Sequence, residues 1–226
     1  MSSINNISKR FALILIDPQN GFVNDGCWSR MFPIGQSIPI LENFNRIASF
    51  LHSISNPDSI PILISKTGFS HYDRQIFEPI NNELSQRKFH SITHTYKPHT
   101  NLSICPGVQQ WLHEQLEAKL DIVIGGCTIT SCVRDSSIQM KKKFPELNFF
   151  VDENLCAARK DNYLERCQIC LERYMNYALP PIEQCENCLK KDSNQQIISP
   201  VQLAYQQMKD AGINIIKNYI LINQSL

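Results

Sequence analysis

No apolar run in the sequence approaches the roughly 18 residues needed to cross a bilayer, and the polar start MSSINNISKR lacks the apolar centre of a secretory signal. Net charge is nearly absent too: 22 Lys and Arg against 21 Asp and Glu leave +1, which excludes whole-molecule attraction to nucleic acid or an anionic membrane. Internal repeats and long low-complexity tracts are missing. These absences predict a soluble, cytoplasmic protein whose partner is a small molecule, with no nucleic acid and no membrane involved.

What is there suits one sizeable core. The 226 residues are 42% hydrophobic, and one domain spanning 1–226 is the reading that length favours. Nine cysteines are an odd number, and several sit in apolar or helix-start contexts. That usage fits a reducing compartment better than a disulfide framework, so the cysteines raise the question of metal binding or catalysis.

The run FALILID (11–17) is continuously apolar and ends in a carboxylate, the pattern of a strand buried on both faces of a parallel sheet. Residues 36–54 carry Ile40, Leu41, Phe44, Ile47, Ala48 and Leu51 at helical spacing, and IPILISK (60–66) follows as a second strand. Further on the pattern predicts a helix over 108–119, a strand over 120–126, a helix over 131–144 and a strand over 147–157. A helix over 199–212, stopped by Gly212, and a last strand in INIIKNYIL complete the series. Strands alternating with helices imply a three-layer α/β/α, Rossmann-like fold with a mostly parallel sheet. Ligands bind such sheets beyond the carboxyl ends of the strands, where Asp17 and Cys132 both fall.

The stretch IGGCTITSCVRDSSIQMKKK (124–143) carries Cys127 and Cys132 at a strand-to-helix junction. A thiolate in the first turn of a helix is stabilised by unpaired N–H groups, so its pKa falls. Thr128, Thr130 or Ser131 can cap that helix, and the lysines at 141–143 complement its negative end. Gly125 and Gly126 allow close backbone approach, and free N–H groups near Cys132 suit an oxyanion hole. Taken alone, both cysteines are equally readable as small buried packing residues.

Read together, FALILIDPQNGF and IVIGGCTITSCVRDSS resemble the isochorismatase-like cysteine hydrolases, which include nicotinamidases and N-carbamoylsarcosine amidases. The resemblance covers roughly 10–160 and 199–222. It implies a catalytic triad of Asp17, Lys97 and Cys132, with Lys88 as a second candidate for the lysine. It also implies a non-proline cis peptide at Gly126–Cys127, an oxyanion hole from the N–H groups of Cys127 and Cys132, and a homo-oligomer. The triad's chemistry is acyl transfer: Asp17 takes the thiol proton and returns it to a leaving amine, while Lys97 stabilises carboxylate and thiolate. The expected reaction is hydrolysis of a small amide, ureide or carbamoyl compound through a thioester. Gln19, Phe22, Trp28 and Phe69 are candidates for contacting the substrate.

The chain departs from the family pattern after Lys97, where the usual small residue followed by Phe is missing, and from the nicotinamidases at their metal site. Their metal is bound by an Asp-x-His pair after the second strand, where this chain reads SKTGFSHYDRQ; His71 and Asp73 on this polar loop are the available side chains. An isochorismatase-type vinyl ether hydrolase and a non-catalytic binding protein on the same fold remain the alternative functions.

Residues 160–198 interrupt the alternation of strands and helices. Cys167-x-x-Cys170 and Cys185-x-x-Cys188, separated by 14 residues, have the spacing of a four-thiolate zinc site. Four protein ligands leave no open position, so the Zn2+ is expected to be structural, and no organic cofactor is implied. Four unligated thiols, or a redox pair, are the other readings of the same residues. In relatives this part of the chain lies near the active-site mouth or a subunit contact.

Overall fold

The computed structural model describes residues 10–23, 25–174, 182–190 and 198–219. Six strands form one all-parallel sheet: β1 (Phe11–Ile16), β2 (Pro61–Lys66), β3 (Ser91–Tyr96), β4 (Asp121–Cys127), β5 (Phe149–Ala157) and β6 (Asn214–Ile216), in the order β3-β2-β1-β4-β5-β6. The described helices are α1 (Ile38–Ser53), α2 (Glu78–Gln86), α3 (Val108–Glu117), α4 (Arg134–Lys143), α5 (Gln168–Tyr174), α6 (Glu186–Lys190) and α7 (Pro200–Asp210). None of them is long and apolar enough to cross a membrane.

The sheet separates two apolar layers. Along β1, Leu13 and Leu15 face the layer built with α1 and α2, while Ala12, Ile14 and Ile16 face the layer built with α3, α4 and α7. Both faces are covered, which is why β1 reads as unbroken hydrophobic sequence. Helix α1 buries Ile40, Phe44, Ile47, Ala48 and Leu51 of the stripe its periodicity predicts, with Leu41 half-buried at its margin, and starts with a proline in its first turn. Helix α7 begins with a capping box: Ser199 Oγ accepts from the Gln202 N–H, and Gln202 Oε1 accepts from the Ser199 N–H.

Two elements escape the periodicity argument. Strand β3 reads SITHTY and lies at the sheet edge, half exposed, so its alternation is weak. Helix α2 reads EPINNELSQ and buries only Ile80 and Leu84. The last strand is shorter than the expected INIIKNYIL. Asn218 turns the chain at φ 60°, and the Asp152 carboxylate accepts from the N–H groups of Asn218 and Tyr219. Tyr219 then packs back and donates its hydroxyl to Asp121 Oδ2 at 2.9 Å; residues beyond 219 lie outside the described ones.

The chain lays down β1, β2 and β3 outward in one direction, then returns to place β4 on the other side of β1. The crevice at the carboxyl ends of β1 and β4 is therefore the topological switch point of the sheet. The two strands approach closely there because Gly126 has no side chain and sits at φ 121°. A Cβ at Gly126 would lie 2.0 Å from the Ile16 carbonyl oxygen and 2.6 Å from the Ile16 nitrogen. Gly126→Ala is expected to cost about 2–4 kcal/mol, through strain at a special backbone angle and a forced separation of β1 from β4; urea denaturation of the variant against wild type measures it.

Candidate active site

Three strands end at the switch-point crevice, and each delivers one side chain. Asp17 follows β1, Lys97 follows β3, and Cys132 lies in the turn that follows β4. Asp17 takes a left-handed backbone angle, φ 53°, uncommon for a residue with a side chain. Ser65 at the end of β2 holds it there: the Asp17 N–H lies 3.2 Å from both the carbonyl and the hydroxyl oxygen of Ser65, and Ser65 Oγ donates to Asp17 Oδ1 at 2.8 Å.

The Lys97 ammonium is 1% exposed and has three acceptors around it. It lies 2.8 Å from Asp17 Oδ2, donates to the His99 carbonyl at 3.0 Å, and donates to Cys132 Sγ at 3.3 Å. Three N–H donors thus meet three acceptors, the arrangement a buried ammonium needs. Lys88 precedes β3 at the opposite end of that strand, so the lysine gathered with Asp17 and Cys132 is Lys97.

The turn carrying Cys132 differs from the expected helix start at 131. Residues Ile129–Val133 form a wide π-helical turn, and α4 begins only at Arg134. The N–H groups of Ser131 and Val133 both reach the Thr128 carbonyl at 3.1 Å. No hydroxyl caps this turn or α4. Thr128 Oγ1 pairs with Ser131 Oγ at 2.5 Å, and Thr130 Oγ1 accepts from Asn162 Nδ2 at 2.9 Å. The cis peptide lies at Cys127–Thr128, one residue later than the expected Gly126–Cys127. Gly126 and Cys127 still belong to the ladder, paired with Cys156 and Ala157, so the strand ends only after Cys127.

Charge at the site opposes the expected fall in the thiol pKa. Burial and the adjacent Asp17 carboxylate push Cys132 up to about 11, and Lys97 offsets only part of this. Burial alone would pull the Lys97 ammonium down, but Asp17 and Cys132 turn the shift upward. The resting site is therefore a thiol beside an ion pair. Cys127 is fully buried, its thiol also pushed well up by burial, and it donates to the Asp17 carbonyl at 3.5 Å.

Cys132 opens onto a cavity of about 460 Å³. One wall is aromatic: Phe22, Trp28, Phe32 and Phe69 lie edge to face or tilted, with ring centroids 4.8–5.0 Å apart. Another wall carries the hydroxyls of Thr67, Thr100, Thr128, Thr130 and Ser131. Arg159 and Asn162 close the remaining side, with the Arg159 guanidinium 3.9 Å over the Phe32 ring and donating to Asn162 Oδ1 at 3.2 Å. Of the substrate-contact candidates, Phe22, Trp28 and Phe69 line this cavity. Gln19 does not. Its buried carboxamide is engaged with the Thr67 N–H and carbonyl and with the Arg74 carbonyl, and so positions Thr67, which does line the cavity.

Ser65, Arg159 and Asn162 were missed by sequence reasoning. Ser65 had a signal, a lone hydroxyl closing an otherwise apolar strand; Arg159 and Asn162 had none, because they belong to the turn after β5 and approach Cys132 only through the fold.

Among the described residues, Cys167, Cys170, Cys185 and Cys188 form a group able to hold a metal ion, with their sulfurs all within 4.8 Å of one another. None of the four lines the cavity. His71 is exposed on the loop after β2, and Asp73 Oδ2 accepts from the Cys27 N–H at 3.1 Å.

No protein-family profile matches the chain, and no curated protein matches it by sequence. Solved structures do match. The nicotinamidase from Staphylococcus aureus superposes with a TM-score of 0.59 at 13% identity, over 92% of this chain and 99% of that one. The N-carbamoylsarcosine amidase from Thermoplasma acidophilum gives 0.52 at 11% identity, over 92% and 96%. The chain has the isochorismatase-like hydrolase fold. The MAR1 ribonuclease from Caenorhabditis elegans matches as well, with a TM-score of 0.55 at 13% identity over 97% of this chain and 82% of that one. One isochorismatase-like fold thus carries different activities, and function has to be argued from the site.

Removing the Asp17 charge while keeping its shape should lower the Cys132 pKa, since Asp17 is a cause of the upward shift and Lys97 would then act unopposed. Asp17→Asn is expected to speed iodoacetamide alkylation of Cys132 at pH 8, by about tenfold for each pKa unit recovered. Mass spectrometry across pH 7–11 reads the shift, and a variant titrating at or above the wild-type value contradicts this account of the site.

Proposed function

We propose that the chain is a cysteine-dependent hydrolase that cleaves a C–N bond of a small amide, ureide or carbamoyl compound through a thioester acyl-enzyme. The observation that carries this reading is the contact of one buried ammonium, Lys97, with both Asp17 and the sulfur of Cys132, which itself lines the cavity. Two resting charges of opposite sign and one neutral thiol form a set whose net charge does not change when the proton moves. Losing that proton to water would leave a desolvated thiolate facing a carboxylate; burial first and the carboxylate second push the thiol up to about 11. Handing it to Asp17 removes the opposing charge and leaves the thiolate beside Lys97 alone.

Acyl transfer then follows. Sγ attacks the substrate carbonyl carbon as Asp17 receives the thiol proton, and the C–N bond breaks as Asp17 returns that proton to the leaving nitrogen. Water, deprotonated by Asp17, attacks the thioester and releases the acid and the free thiol. The developing oxyanion needs two backbone donors. Cys127 is held inside β4 and absent from the cavity wall, whereas Thr128 and Cys132 both reach it. We therefore assign the donors to the N–H groups of Thr128 and Cys132 in place of Cys127 and Cys132. The cavity volume suits a small substrate, and all nine cysteines are unpaired, in keeping with a reducing compartment.

We assign the four-cysteine group to Zn2+ in a structural role. Four thiolates fill a tetrahedral coordination sphere, and the group stands apart from the cavity wall. The catalytic steps above involve no metal ligand.

Ammonia or amine release from a panel of small amides, ureides and carbamoyl compounds tests the hydrolase reading. Turnover by the wild type should fall by about 10⁴-fold or more in Cys132→Ala, and intact-mass spectrometry of quenched wild type should show the acyl adduct on Cys132. Activity that survives in Cys132→Ala, including pyruvate release from a vinyl ether, would overturn it.

A further inference from the structure

The four-cysteine group is tied to the wall of the cavity by both of its chain ends. On the upstream side, the turn Lys160–Tyr163 supplies Asn162, which lines the cavity and donates to Thr130 Oγ1, two residues before Cys132. Arg159, at the start of this turn, lies over Phe32. The Lys160 N–H donates to the Gln36 carbonyl and the Asp161 N–H to Gln36 Oε1, which joins the turn to the loop before α1. From Asn162 the chain reaches Cys167 through only Tyr163, Leu164, Glu165 and Arg166.

On the downstream side, the chain returns at Ile198. Arg166 and Ile198 form an isolated antiparallel bridge in which the Arg166 N–H donates to the Ile198 carbonyl at 3.1 Å. Ser199 follows at once and caps α7, and α7 packs on both the π-helical turn of Cys132 and the turn Lys160–Tyr163. Arg166 and Ile198 thus form a neck on either side of the four cysteines, with one strand joined to the turn that lines the cavity and the other to α7, which packs behind that turn and the turn of Cys132.

A ladder hydrogen bond of this kind is weak against the chain entropy of closing a long excursion. The four sulfurs supply a stronger constraint. Their separations are 3.7 Å for Cys167 and Cys185, 3.5 Å for Cys170 and Cys185, and 3.7 Å for Cys170 and Cys188. A tetrahedron of thiolates about 2.3 Å from a central zinc has edges of about 3.8 Å. The Cys167 N–H also donates to Cys188 Sγ at 3.4 Å, and Cys185 accepts from the Cys188 N–H. These are the N–H to sulfur contacts that favour thiolate over thiol. The Cys167 contact joins the first knuckle, at the neck, to the second.

We propose that a zinc ion bound by Cys167, Cys170, Cys185 and Cys188 clamps the neck at Arg166 and Ile198, and thereby fixes the Arg159–Asn162 wall of the catalytic cavity without touching the reacting atoms. The ion acts on substrate fit, and the thiol chemistry of Cys132 is independent of it. The clamp deepens the hydrolase reading, but its physical content, a metal-dependent order in residues 160–166, stands whether or not the cavity hydrolyses anything.

Hydrogen exchange on the full chain tests it. Three samples are compared: zinc-loaded wild type, wild type stripped by a chelator under reducing conditions, and the double variant Cys185→Ala/Cys188→Ala. Metal analysis should give about one zinc per chain in the first and none in the others, and Co2+ added to stripped protein should give the visible bands of a tetrahedral thiolate site. Amide protection in residues 160–166 should fall by about tenfold or more without the ion, with β1 and β4 unchanged. Added Zn2+ should restore it in stripped wild type and not in the variant. The alkylation rate of Cys132 should be the same in all three.

A chain that takes up no zinc, or one that takes it up with no change in exchange at 160–166, overturns the proposal. So does a loss of protection that spreads through β1 and β4, because the ion would then hold the whole fold and not the neck. Stripped wild type carries the test alone if the double variant is insoluble.

Discussion

A charged ammonium buried inside the protein sets the terms for everything around it. Lys97 is almost completely removed from water, and an unpaired ion in that position would cost several kcal/mol. Its three acceptors, Asp17, Cys132 and the His99 carbonyl, offset that cost together, and each must be delivered from a different segment. The edge strand β3 has little apolar content to hold it in the sheet. Its register against β2 nonetheless brings Lys97 to the crevice, where the Lys97 N–H donates to the Lys66 carbonyl at 2.8 Å. Asp17 is in turn kept in a left-handed backbone angle by Ser65, so the ion pair draws on the ends of β1, β2 and β3 at once.

The same constraint explains the state of the Cys132 thiol. The positive end of a short helix and a nearby lysine are usually enough to lower a thiol pKa. Here burial and the charge of the adjacent Asp17 carboxylate both work against a free thiolate. The thiol is therefore protonated in the resting site.

The cavity is assembled from pieces with little in common in sequence. The aromatic wall comes from the loop after β1 and the loop after β2, the hydroxyl wall largely from the turn after β4, and the closing wall from the turn after β5. These segments converge because all the strands run parallel, so their carboxyl ends share one edge of the sheet. The four-cysteine group follows the last of these segments, and the chain returns beside it at Ile198, which places a group able to hold a metal ion next to the cavity and not in its wall.

Much of the framework was legible in the sequence. The run FALILID determined a doubly buried strand, because only a central parallel strand tolerates apolar residues at every position. Helices α1 and α7 were legible from their apolar stripes and first-turn signals, and the paired Cys-x-x-Cys spacing marked the four-cysteine group. Tertiary structure decided the rest. Strand β3 owes its existence to pairing with β2, since a polar edge strand carries no periodic signal of its own. The choice between Lys88 and Lys97 depends on which end of β3 faces the crevice. The π-helical turn, the cis bond after Cys127 and the presence of Arg159 in the cavity are set by how β4, β5 and α7 pack. The thiol's pKa belongs to the same class: local sequence supplies the cysteine and its helix, but burial and the distance to Asp17 exist only once the strands are side by side.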